Sequence, residues 1–229
     1  MLIIDDGQRR AAVVAHAQRL GVKIRRISAR QLAEIIRRET DAAGRDDGIV
    51  LHLPSSPVGG SLRHRLQQLD RAADVFVIAF DGITDPVNVG SILRSADQFG
   101  ASFVLLPRRR SASITSTVHR VSAGAAAHVE TLEVANLAQA LIDLRDAGIW
   151  IYGAEASGDD VTTAMLASRA ALVLGAEGAG LHRLTRDRCD HLLRIPTVGN
   201  VDSLNVGVAA GVLMYEFRRQ WAAAGRSAV

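Results

Sequence analysis

The sequence contains one cysteine, Cys189, and one lysine, Lys23, among its 229 residues. A lone cysteine excludes an internal disulfide and is typical of a reducing compartment, so we expect a cytoplasmic protein with a structural thiol. No apolar run is long enough to span a bilayer, and the opening Met1-Leu-Ile-Ile-Asp-Asp6 lacks the basic start of a signal peptide. We therefore expect no membrane partner.

Motifs for metal and nucleotide chemistry are also missing. His52, His119 and His191 do not have the spacing of a metal-ligand set, so we expect no metal. The chain has no P-loop lysine, and its Gly-rich Leu174-Gly-Ala-Glu-Gly-Ala-Gly-Leu181 is not the G-x-G-x-x-G dinucleotide fingerprint. An NAD-dependent Rossmann enzyme is therefore only a distant alternative.

Positive charge is carried almost entirely by arginine, and it is clustered. The formal net charge is only +3, so composition alone does not identify a nucleic-acid partner. Arginine pairs well with phosphate oxygens, although most charge runs are solvated faces, so both interpretations remain open. The clusters are Arg9-Arg10, Arg25-Arg26 with Arg30, Arg37-Arg38, Arg63-His-Arg65 and Arg108-Arg-Arg110.

Two domains joined by a linker are predicted. Hydrophobic residues make up 48% of the chain and charged residues 22%, which is ample for a globular core. Residues 1–53 have the pattern of a small α/β unit, and residues 75–229 form a larger domain. The linker, 54–74, opens with Pro54-Ser-Ser-Pro-Val-Gly-Gly60, where proline fixes φ and Gly and Ser add freedom. In the small unit we predict a helix over 7–20, a strand over 22–27, a helix capped by Ser28 and a strand over 48–53.

The larger domain is predicted to be α/β, with a parallel sheet flanked by helices. Its apolar runs do not alternate with polar residues, as in strands buried on both faces, and helical segments separate them. Strands are predicted at 75–80, 102–106, 150–152 and 171–174, and helices at 88–99, 115–126 and 136–147. Ligands of such sheets gather at the carboxyl ends of strands, which makes the loops at 81–91, 175–181 and 196–205 candidate sites.

Polar side chains in these loops are candidates for chemistry. Asn88 opens a helix and Arg94 follows six residues later, so the pair can hold a phosphate or a ribose hydroxyl; a helix cap and a solvent-facing arginine are the alternative. Glu177 can accept hydrogen bonds from backbone or from an arginine. Ser203 is predicted to cap the last helix, with Asn205 in its first turn and the amide pointing outward. A site beside a packed interface and a plain buried helix both fit this last stretch.

Taken together, the three loops resemble the three sequence motifs of the SpoU/TrmH family of RNA ribose 2′-O-methyltransferases, in order and in spacing. A further match resembles the subgroup that methylates a guanosine of large-subunit (23S) rRNA, and the resemblance covers residues 75–220. The matching segments are Asp85-Pro-Val-Asn-Val-Gly-Ser-Ile-Leu-Arg-Ser-Ala96, Leu174-Gly-Ala-Glu-Gly-Ala-Gly180, Ile195-Pro with Ser203-Leu-Asn-Val206, and Arg110-Ser-Ala-Ser with Val121-Ser-Ala-Gly-Ala125.

The resemblance implies a SPOUT fold, in which the C-terminal chain forms a deep trefoil knot that topology rules alone would not suggest. It implies S-adenosylmethionine as methyl donor, an RNA substrate (rRNA before tRNA) and a homodimer. The implied catalytic residues are Asn88, Arg94, Glu177, Ser203 and Asn205. The implied cofactor-binding residues are Gly175, Ile195 and Leu204. Residues 1–53 are similar to an L30e/L7Ae-like RNA-binding domain whose opening helix and strand are missing.

Two questions stay open at this level. The family's proposed base corresponds to Arg94, but arginine is protonated at neutral pH, so a phosphate clamp is the alternative role. A tRNA methyltransferase, or an rRNA resistance methyltransferase, is the alternative within the enzyme class. A non-catalytic RNA-binding or ribosome-assembly factor is the alternative outside it.

Overall fold

The structure, a computed structural model, describes residues 2–4, 11–39, 49–51, 61–108, 114–201 and 203–226. The chain divides into two compact units, Met1–Ser56 and Pro57–Val229. The first linker residues, 54–60, the arginines at 9 and 10, and residues 110–113 of the fourth motif lie outside the described residues. No described helix is long and apolar enough to cross a membrane.

The N-terminal unit holds a three-stranded sheet and two helices. Its strands are β1 (Leu2–Ile4), β2 (Ile24–Arg26) and β3 (Ile49–Leu51), and its helices are α1 (Ala11–Arg19) and α2 (Ala29–Glu39). Strand β1 is central, parallel to β2 and antiparallel to β3. Two small apolar clusters lie against the helices, one around Ala17 and the other around Ile27 and Leu32. Small cores of this kind contribute little stability by themselves.

The larger unit is built on a six-stranded sheet in which every pairing is parallel, in the order β6-β5-β4-β8-β7-β9. This arrangement confirms the prediction of an α/β domain with a parallel sheet. The strands are β4 (Val75–Asp81), β5 (Phe103–Pro107), β6 (Thr131–Val134), β7 (Trp150–Asp160), β8 (Arg169–Gly175) and β9 (His191–Arg194). The helices are α3 (Leu62–Gln67), α4 (Pro86–Gln98), α5 (Ser116–Val121), α6 (Leu137–Asp146), α7 (Arg183–Arg186) and α8 (Val206–Ala223).

Both faces of this sheet are covered by helices, which explains why its central strands are continuous apolar runs. Alternate residues of β4 enter different cores: Phe76 packs with α4, α5 and α8, whereas Val77 packs with α3 and α6. Helix α3 lies within the stretch predicted as linker. Leu62 buries its side chain in the second core, and Arg65 forms an ion pair of 2.8 Å with Glu130.

Helices α4 and α8 approach closely through small residues. A Cβ built on Gly207 would lie 2.8 Å from the hydroxyl oxygen of Ser91, and one on Gly90 would lie 2.8 Å from the Cβ of Val121 in α5. Neither gap accommodates a methyl group without a shift of the neighbouring side chain or helix. The small residues of the predicted C-terminal helix are therefore needed for packing, and this packing fixes where the loops before α4 and α8 meet.

Candidate active site at the carboxyl edge of the sheet

Three loops meet where β4, β8 and β9 end, at the edge of a parallel sheet that usually carries the ligand. Asp81, the buried last residue of β4, joins the first loop to the second. Its carboxylate accepts hydrogen bonds from the backbone N–H of His182, at 2.7 Å, and from the ring Nδ1 of the same residue, at 2.9 Å. Sequence reasoning missed this pair. The acid that ends an otherwise apolar strand marks Asp81 as a candidate, but it does not identify His182 as the partner.

A cavity of about 640 Å³ opens between the second and third loops. Five of the eight residues predicted from the sequence line it, namely Gly175, Glu177, Ile195, Ser203 and Leu204. The remaining wall includes the other residues of 174–180, together with Leu193, Val206 and Leu213. A volume of this size holds a small organic ligand, and the many small residues leave backbone N–H and C=O groups available to it.

Gly175 is the point where the second loop closes on itself. A Cβ on this residue would lie 2.3 Å from the carbonyl carbon of Gly180, and Ala176 and Gly180 exchange backbone hydrogen bonds of 3.1 and 2.8 Å. Because the clashing atoms belong to backbone, no side-chain rotation relieves the clash. The sequence requires glycine here to form this cavity wall.

A chain of side-chain hydrogen bonds joins the three loops. Asn205 donates from Nδ2 to Oδ1 of Asn88 at 2.9 Å, and Asn88 donates from its own Nδ2 to Oε2 of Glu177 at 3.3 Å. The direction is fixed at one end, because Oδ1 of Asn205 accepts from the backbone N–H groups of Gly207, at 2.9 Å, and Val208, at 3.3 Å. Three of the predicted catalytic residues are thus in direct contact.

The start of the last helix differs from the sequence prediction. Its N-cap is Asn205, whereas Ser203 is exposed and lies two residues earlier, beside the cavity. The amide of Asn205 also does not point free into solvent, since it donates to Asn88. Asparagine caps helices as well as serine does, so residue preference alone did not distinguish the two positions.

Arg94 is placed apart from the other predicted residues. Six residues of helix separate it from Asn88, roughly 9 Å along the axis and on a different face. Asn88 is buried and Arg94 is exposed. Among the residues described, none forms a hydrogen bond or ion pair with the Arg94 guanidinium, and no group of three or more metal-binding side chains is found. Arg94 therefore presents an unpaired cation to whatever binds that surface.

Fold and site together define a parallel α/β protein with a glycine-lined cavity at the carboxyl edge of its sheet. The sequence matches the SpoU rRNA Methylase family over residues 75–215. The chain therefore belongs to this family, which confirms the resemblance of its three loop motifs.

Two relatives and one solved structure describe the similarity. The 23S rRNA (guanosine-2′-O-)-methyltransferase RlmB of a Burkholderia species is 43% identical over 180 residues, covering 77% of this chain and 71% of the relative. A TrmH-family tRNA/rRNA methyltransferase homologue of Staphylococcus aureus is 43% identical over 155 residues, and this chain spans 62% of its length. The SpoU methyltransferase AviRb of Streptomyces viridochromogenes, solved with AdoMet, has a TM-score of 0.75 at 24% identity, covering 97% of this chain and 83% of AviRb.

Proposed function

We propose that this chain is an S-adenosylmethionine-dependent RNA ribose 2′-O-methyltransferase that acts on a guanosine of 23S rRNA. The observation that carries the proposal is the hydrogen-bonded chain of Asn205, Asn88 and Glu177, because it joins all three family motifs beside one cavity. We infer the substrate from the reaction in the name of the Burkholderia relative. An rRNA substrate implies a cytoplasmic enzyme.

The cavity fits the methyl donor in size and in chemistry. Its volume of about 640 Å³ lies within the range of small-molecule sites, and Gly175 places no side chain in its wall. We assign Gly175, Ile195 and Leu204 to the donor, chiefly through backbone groups, since fixed N–H and C=O groups suit the edge of an adenine.

Methyl transfer requires orientation more than covalent help from the protein. The bound donor supplies a methyl group on a positively charged sulfonium. Correct placement of reactants contributes roughly 7–11 kcal/mol to barrier reduction in well-oriented reactions. We propose that Asn88, Ser203 and Asn205 position the ribose and that Glu177 fixes the amide of Asn88 through their hydrogen bond.

Arg94 is proposed to clamp a phosphate next to the target ribose. Its exposed guanidinium has no partner in the described part of the chain, and an arginine at neutral pH is a phosphate ligand rather than a proton acceptor. The 2′-hydroxyl proton then leaves to water. The base role implied by the resemblance would need a neutral arginine, and arginine side chains stay protonated in proteins.

The whole-molecule features implied by the resemblance are proposed as well. The cavity wall shared by the second and third loops supports a C-terminal trefoil knot. Residues 1–53 are proposed to be an L30e/L7Ae-like RNA-binding domain, 54–74 a linker that includes α3, and 75–229 the catalytic domain. An apolar stripe on α8 supports a homodimer.

Calorimetric titration of S-adenosylmethionine and methyl transfer to RNA test the proposal. Gly175→Ala should abolish donor binding, whereas Gly199→Ala should not, because a Cβ on Gly199 meets no atom within 4 Å. Arg94→Ala should bind the donor normally and lose turnover. If Gly175→Ala bound the donor as tightly as the wild type, the assignment of the donor to this cavity would be wrong.

A tRNA substrate is the second candidate. It is favoured by the S. aureus relative, which is named for both tRNA and rRNA. Offering both RNAs in the same assay decides between them.

A further inference from the structure

A basic segment, residues 182–188, lies at the rim of the cavity. It runs His182-Arg-Leu-Thr-Arg-Asp-Arg188 and contains three arginines and a single acid. Gly180, two residues before it, lines the cavity, and so does Glu155, which pairs with Arg186 at 3.6 Å. The start of the segment and Arg186 therefore border the proposed donor site without being part of its wall.

The side chains of two arginines in the basic segment have no hydrogen-bond or ion-pair partner in the part of the chain that the structure describes. Most arginines of the larger unit contact a carboxylate or a backbone carbonyl, as Arg65 does with Glu130 and Arg169 with Ala73. Arg183 and Arg188 are exposed, and no carboxylate lies within ion-pair distance of either among the residues that the structure describes. Their charges are available to an external anion.

The backbone of the basic segment is held rigidly. His182 is fixed to the buried carboxylate of Asp81 by both its backbone N–H and its ring, and Thr185 is buried with its carbonyl accepting from Sγ of Cys189 at 3.4 Å. Leu181, the residue just before the basic segment, is buried in the second core. Rigid presentation matters because a preorganised cation loses less conformational freedom when it binds.

We propose that the basic segment is a second RNA phosphate-binding surface. Arg183 and Arg188 hold the backbone of the substrate RNA on the side of the cavity formed by the second loop. The inference rests on the proposed RNA substrate and adds to it a surface separate from α4 and Arg94. Arginine forks suit phosphodiesters, and the exposed Leu184 between them offers an apolar contact to a sugar or a base.

The test compares two double variants with the same change of charge. Arg183→Gln/Arg188→Gln removes the proposed contacts. Arg63→Gln/Arg71→Gln is the control: both residues are exposed and unpartnered within the described ranges, and they lie near the amino edge of the sheet. Binding of an unmodified 23S rRNA transcript is measured at several salt concentrations, together with KM and kcat for methyl transfer and the affinity for S-adenosylmethionine.

We expect the Arg183/Arg188 variant to raise the RNA Kd and KM by about tenfold at moderate salt, with unchanged kcat and donor affinity. Its slope of log Kd against log salt should fall by about 1.4 to 1.8, as for two lost phosphate contacts. The control should change neither quantity to that extent. Equal behaviour of the two variants in an active enzyme would overturn the inference alone. Binding that depends on residues 182–188 without any methylation would overturn the proposed function alone.

Discussion

At the scale of single residues, Asn205 combines two functions that can be separated. Its Oδ1 caps α8 and its Nδ2 donates to Asn88. Asn205→Asp keeps an acceptor for the cap but removes the donor, whereas Asn205→Ala removes both. We expect the Asp variant to unfold at nearly the wild-type temperature. The free energy of unfolding of the Ala variant should fall by about 1 kcal/mol, a typical cost of a lost helix cap.

Methyl transfer should nevertheless be abolished in both Asn205 variants, because both lose the hydrogen bond that links the third loop to the first. Thermal unfolding and a transfer assay on the same preparations measure the two effects. An active Asn205→Asp enzyme would show that the cap alone matters.

Cys189 illustrates how a residue's surroundings control its reactivity. Burial raises the pKa of this thiol to about 12, and the negative charges of Asp190 and Asp81 act in the same direction. The native thiol should therefore react slowly with iodoacetamide at pH 8, and rapidly once denatured. Because the folded pKa is the higher one, the thiol's contribution to stability is complete below about pH 9 and declines as the pH rises towards 12. Cys189→Ser should weaken that decline; rapid native alkylation would contradict the burial.

At the scale of elements, the sequence pattern identified what periodicity and burial determine. Central strands such as β4 and β8 and helices such as α4 and α6 were predicted because their apolar runs are long. Short elements were missed: β6 has four residues, and α7 also has four. The 115–126 helix was predicted as one element, but α5 ends at Val121 and a separate 3₁₀ turn follows at Ala125–Ala127. Ala123 and Gly124, with φ of 52° and 93°, interrupt the helix there.

Helix α8 has an exposed apolar stripe, from which we predict a dimer contact. Val208, Val212 and Tyr215 are 54%, 39% and 56% exposed and recur at helical spacing. We propose that a second copy of the chain packs against this stripe. Val208→Asp/Val212→Asp should convert a dimer to a monomer in light scattering and reduce turnover, while Thr162→Asp/Thr163→Asp, on an exposed turn, should do neither. A monomeric wild type would contradict the homodimer.

At the scale of the whole molecule, the candidate site was largely predictable because its residues lie in three loops with recognisable motifs. Five of the eight predicted residues line the cavity, and Asn88 and Asn205 join Glu177 in one hydrogen-bonded chain. The Asp81–His182 contact was not predictable, because it joins residues 101 positions apart and depends on which strands are neighbours. Strand order, like the proposed knot, depends on tertiary packing that periodicity does not encode.

The most direct test of the central claim is transfer of label from radiolabelled S-adenosylmethionine to unmodified 23S rRNA and, separately, to unmodified tRNA. The modified position is mapped by its resistance to alkaline cleavage, because cleavage requires a free 2′-hydroxyl and methylation blocks it. We predict label at one guanosine of 23S rRNA with the wild-type chain and none with Asn205→Asp. Label confined to tRNA would contradict the substrate, and no label in either RNA, with the donor still bound, would contradict the assignment as a methyltransferase.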